Sequence, residues 1–138
     1  MRILLLPICL SVSLSAYAEE WTPIQTSVSN IQFAIDMSTI ERDEDWVIFK
    51  ERLTYTNSDK IDPASGIAIK EKLVKRVMDC ANRTQGMLSG AMRGDTGTLI
   101  EMITFDRSQM VMAPIPRGTL AEQELELVCK KLKSTTPK

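Results

Sequence analysis

The sequence predicts a single α+β domain: an antiparallel sheet of about five or six strands and one packed C-terminal α-helix. Three observations predict it. Segments between residues 21 and 105 alternate apolar and polar residues, the period of a half-buried strand. A stretch near the C-terminus has helical period and its own capping signal. Of the three cysteines, Cys80 closes a predicted strand and Cys129 lies on the apolar stripe of the predicted helix.

Residues 1–18 read as a cleaved secretory leader. Arg2 gives the positive start, Ile3 to Leu14 the apolar run, and Ala16-Tyr17-Ala18 a small-x-small site that predicts cleavage after Ala18. The run is shorter than the roughly 20 residues a membrane span needs. Cys9 follows Pro7-Ile8, with no small residue before it, so no lipid anchor is expected. Residues 19–138 then form one exported domain, in the periplasm or on the outer surface.

Trp21 to Ile24 predicts a short edge strand, because Pro23 cannot donate to a central ladder. Ile31, Phe33, Ile35 and Met37 alternate with polar or small residues, which predicts a second strand. The acidic run Glu41 to Asp45 reads as a turn. Trp46 to Tyr55 is aromatic and β-branched, with Val47, Phe49, Leu53 and Tyr55 on one face. Asn57 to Gly66 has loop composition. Ile67 to Ala81 reads as a long strand whose lysines suit an exposed edge; a helix over 67–78 is the competing reading. Gln85 to Met92 and Leu99 to Phe105 form a hairpin about the turn Gly94-Asp95-Thr96-Gly97. Val111 to Ile115 adds a last short strand before Pro116 and Gly118.

The helix is expected over about 119–132. Thr119 and Glu122 form a T-x-x-E capping box, and Ala121, Leu125, Val128, Cys129 and Leu132 form one apolar stripe. Early glutamates and late lysines complement the helix dipole. Export places Cys80 and Cys129 where a pair becomes a disulfide. Their wide spacing, unlike C-x-x-C, favours a structural staple over a redox switch. Such a bridge would fasten the helix to the sheet.

Asp79-Cys80 followed by a charged hairpin strand, the Gly94 to Gly97 turn, Ala113-Pro114-Ile115-Pro116-Arg117-Gly118 and a helix ending in Val128-Cys129 form an ordered set. With Trp21-x-x-Ile24 and Asp36-Met37-x-x-Ile40 upstream, the set resembles the bacterial surface-adhesin protein E family. The resemblance implies a helix laid across one face of the sheet and tied there by the disulfide. It also implies a surface protein that binds host matrix or plasma proteins. The alternative is a periplasmic structural or envelope-maintenance protein with no host partner. Self-association is a further partner class.

Chemistry is sparse. There is no histidine, which removes the commonest general base and metal ligand. The near-balanced charge, net −1, is no footprint for nucleic acid. No catalytic residue, metal or cofactor is expected. Arg93-Gly94-Asp95, the integrin-recognition tripeptide, falls at the predicted hairpin tip and is the candidate partner-binding motif; the competing reading is that the turn itself needs Gly-Asp there. Met87, Met92, Met102, Met110 and Met112 crowd one stretch. Thioethers suit copper(I), but core filling is the favoured reading.

Overall fold

A computed structural model of the chain describes residues 18–24, 30–57 and 59–135. The leader expected over 1–18 lies outside these, apart from an exposed Ala18. Six strands form an antiparallel meander in chain order: β1 (Trp21–Ile24), β2 (Ile31–Asp43), β3 (Trp46–Tyr55), β4 (Ile69–Asp79), β5 (Thr84–Gly94) and β6 (Leu99–Thr104). A two-residue strand, β7 (Ala113–Pro114), returns to pair with the start of β5. Helix α1 (Leu120–Thr135) ends the described chain.

The two faces of the sheet are covered differently, because alternate residues of each strand point to opposite sides. On one face α1 lies over β1, β2 and β3. Val47 stands opposite Met78 in the ladder, and Phe49 is two residues further along β3. These join Ile35, Ile115, Leu125 and Val128 in one buried cluster. Burying Phe49 alone is worth about 1.5–3 kcal/mol.

On the other face Val77 is fully buried beside Gly86, its ladder partner. The cover there is the connection between β6 and β7. Its Arg107 guanidinium lies 4.5 Å from the Trp46 ring centre and 3.0 Å from Asp43. Its Met110 and Met112 lie over Gly86, where a Cβ would stand 2.9 Å from the Met112 sulfur. Any larger residue at Gly86 would push the two methionine side chains outward.

Several expectations are corrected. The acidic run does not form the turn: Glu41 to Asp43 belong to β2, and the turn is Glu44-Asp45, with Glu44 at φ 56. Alternation broke earlier because β2 bulges between Asp36 and Glu41. Asp36 holds the bulge by accepting from the Ser38 amide and hydroxyl and from the Glu20 amide. Burial pushes the Asp36 carboxyl up, but these donors outweigh it and hold it below its ordinary range.

The lysine-rich segment is a strand, yet β4 is central, not an edge. Its charges are tolerated because Lys70 and Lys75 reach solvent and Arg76 is paired. The last strand shrinks to Ala113–Pro114, since Met110 to Met112 form the strap. Helix α1 runs on to Thr135, its final turn held by the Ser134 hydroxyl donating to the Lys131 carbonyl. The capping box is half formed: the Thr119 hydroxyl accepts from the Glu122 amide, but the Glu122 carboxylate turns to the Gly118 amide and Arg83.

Cys80 and Cys129 form a disulfide with 6.1 Å between Cα atoms. Cys80 begins the β4–β5 turn, which buried Asp79 shapes by accepting from the Ala81 and Asn82 amides and the Asn82 side chain. Arg83 ends the turn. It ion-pairs with Glu122 of the helix, and its carbonyl accepts from the Ile115 amide. The bridge joins residues 49 apart in sequence, for which chain entropy gives about 4 kcal/mol. Replacing both cysteines by serine should lower unfolding free energy by up to about that amount in a urea titration, with sheet circular dichroism unchanged. An unchanged midpoint would show that the helix is held by packing alone.

Candidate functional site

Two places break the ordinary rules of a small domain. The first is the β6 edge. At the opposite edge, β1 is four residues long, contains Pro23 and touches α1, all of which discourage further pairing. Strand β6 has six residues, no proline and one charge, Glu101. Leu99 is 50% exposed, Met102 65% and Ile103 39%. The β6 edge away from β5 has no partner strand among the described residues.

Beside this edge, on the α1 face but beyond the helix, lies a hollow of about 170 Å³. Lys72 and Val74 of β4, Gly90 and Met92 of β5, and Glu101 and Ile103 of β6 line it. Ladder register brings them together: Val74, Gly90 and Ile103 form one row across the three strands, and Lys72, Met92 and Glu101 the next. The absent side chain at Gly90 makes the depression. Apolar walls with one cation and one anion suit a partner's side chain better than a reacting group.

Arg93-Gly94-Asp95 lies at the end of the same hairpin. Arg93 and Asp95 are exposed, whereas Gly94 is buried and still paired, in register with Ile69. A Cβ at Gly94 would stand 2.8 Å from Ile67. The Gly94 amide donates to the Thr98 carbonyl, so the turn spans residues 95–98 and the tripeptide leads into it. The end of the β3–β4 loop, residues 62–66, is ordered by its own chemistry. Asp62 accepts from the Ser65 hydroxyl and amide, which hold its carboxyl below the ordinary range.

The methionine-rich stretch is divided. Met87 and Met92 line the hollow, Met102 stands on the edge, and Met110 and Met112 form the strap.

The second place lies beneath α1. Glu51 of β3 and Glu124 of α1 are both 2% exposed. Arg76 of β4 bonds Glu51, stands 3.8 Å from Glu124 and donates to Gln85 at 3.2 Å. Glu124 Oε1 has no hydrogen-bond partner. Burial, then the neighbouring Glu51 charge, push the Glu124 carboxyl up to about 8, against the pull of Arg76. A protonated acid beside an ionised one is a pattern of general acids. Here α1 roofs the pair, so a substrate would have to lift the helix to reach it. Among the described residues no group of His, Cys, Asp and Glu could hold a metal ion. Nor is any described helix long and apolar enough to cross a membrane.

The sequence model of surface-adhesin protein E matches residues 21–130. The chain belongs to this adhesin family. Solved structures agree on the fold. Protein E from non-typeable Haemophilus influenzae is similar at TM-score 0.55 and 13% identity, over 82% of this chain and 78% of that one. A second structure of Haemophilus influenzae protein E gives TM-score 0.55 at 12% identity, over 84% and 96%. No curated protein matches.

The chain is thus an adhesin-like surface protein of a non-enzymatic family, with the sheet, helix and disulfide expected of it. Reading the sequence missed both unusual places. Glu124 was legible: it falls three residues after Ala121 and four before Val128, on the buried stripe. The β6 edge was not, since strand order is invisible in local pattern.

The raised Glu124 pKa has a definite sign. Folded protein keeps this proton up to about pH 8, whereas the unfolded chain loses it near 4.5. Stability is therefore greatest below 4.5 and declines as pH rises to about 8, by at most about 1.4 kcal/mol per unit. The lowered Asp36, Asp62 and Asp79 act in the opposite sense, only below about 3.8. Urea titrations at pH 5 and 8.5 should show the decline, and Glu124→Gln should flatten it. Parallel curves for the two proteins would refute the assignment.

Proposed function

We propose that this protein is displayed on the outer cell surface, where the β5–β6 hairpin holds a host matrix or plasma protein. One observation carries the reading: a free, apolar, unguarded β6 edge in a sheet whose other edge is guarded. An extended partner segment pairs with β6 through main-chain hydrogen bonds, and alternate side chains enter the hollow. Exposed Arg93 and Asp95 at the hairpin end add charged contacts. Loss of backbone pairing would be felt first as faster dissociation.

Met102→Lys with Ile103→Lys puts charge on the edge without touching the core. Binding to immobilised plasma proteins and basement-membrane matrix should fall at least about tenfold, while the melting temperature holds. Arg93→Ala with Asp95→Ala should weaken binding less. Undiminished binding by the lysine variant would exclude the edge. On intact cells, added protease should cleave the protein; full protection beneath an outer membrane would instead favour a periplasmic role.

A further inference from the structure

We infer that Met110 and Met112 form a binding site for a soft monovalent metal ion of the copper(I) class, on the sheet face opposite α1. This goes beyond the adhesive reading and uses a different surface. The two thioethers converge over Gly86: the Met112 sulfur lies 2.9 Å and the Met110 sulfur 3.3 Å from the point a Gly86 Cβ would occupy. The two sulfurs therefore lie side by side against Gly86. Packing there needs only apolar bulk, which leucine also provides. Two thioethers supply, in addition, two soft lone pairs.

The setting favours an ion over mere packing. A cavity of about 230 Å³ adjoins the strap, lined by Met87, Phe105, Gln109, Met110 and Val111. Met110 and Met112 are half-buried, and Val111 between them is 82% exposed, so an ion reaches the sulfurs from solvent. Arg107 pins the strap to Trp46 and Asp43 and limits the cost of ordering the ligands on binding.

The donor set fixes the class of metal. The chain has no histidine, and Cys80 and Cys129 are joined in the disulfide. Thioether sulfur selects copper(I) and silver(I) over zinc and copper(II), which prefer imidazole, thiolate or oxygen. Each sulfur donates a lone pair; no proton leaves and no electron is transferred.

Silver(I) is the probe, because it needs no reductant that would open the disulfide. The oxidised exported protein, labelled at the methionine methyls, is titrated with silver nitrate in chloride-free buffer and followed by NMR and calorimetry. The first equivalent should shift the Met110 and Met112 methyls, and equimolar zinc should shift neither. Met110→Leu with Met112→Leu, which conserves volume, should lose this binding step. Met102→Leu, at the exposed edge methionine, should keep it. The proposal falls if the first equivalent shifts Met102 instead, if no methyl shifts, or if the double variant binds silver as tightly as the parent. Should the double variant unfold, the methyl shifts of the parent protein decide alone.

Discussion

Everything at the closed end of this domain depends on the five-residue turn from Asp79 to Arg83. The turn is fixed from within, because the Asp79 carboxylate satisfies the Ala81 and Asn82 amides. Those bonds hold the acid below its ordinary range and make the turn strongest where the carboxylate is ionised. From this fixed loop three links reach the C-terminal segment: Cys80 to Cys129, Arg83 to Glu122, and the Arg83 carbonyl to the Ile115 amide. They grip α1 at its start, at its middle and just upstream. The helix is thereby positioned over β1 to β3, and the core of Phe49, Met78 and Val128 follows from that placement.

The consequence is a sheet with one closed end and one open corner. Helix α1 and the Met110–Met112 strap cover opposite faces near β2, β3 and the start of β5. Neither reaches the far halves of β5 and β6. A small domain would ordinarily guard such an edge with charge, proline or brevity. That β1 is guarded while β6 is not separates a general property of the fold from a local exposure. An adhesive protein needs a surface of that kind, and main-chain pairing offers adhesion without a preformed pocket.

Local chemistry was legible in the sequence to the extent that the forces were local. Pro23 marked the β1 edge, the Thr119 hydroxyl marked the helix start, and the two cysteines marked the tie between layers. Where a tertiary contact overrode the pattern, the reading slipped. The Asp36 bulge hid the second half of β2, because alternation ceased while the strand continued. The lysines of β4 suggested an edge, because sequence cannot show that Glu51 of a neighbouring strand neutralises Arg76. Methionines read as one cluster separated into three places, since chain proximity along a hairpin is not proximity across a sheet.

The buried acid and the disulfide are best understood together, as both act on α1. At pH 7, keeping Glu124 protonated above its ordinary pKa of 4.5 counts against the folded state. The bridge contributes about 4 kcal/mol from the middle of the same helix. The two act in opposite senses, so the crosslink supports a helix that has an unpartnered carboxyl oxygen beneath it. In a reducing environment the buried acid would remain and the crosslink would be lost. The crosslink thus matters most in an oxidising setting, where it persists and where the buried acid still works against the fold.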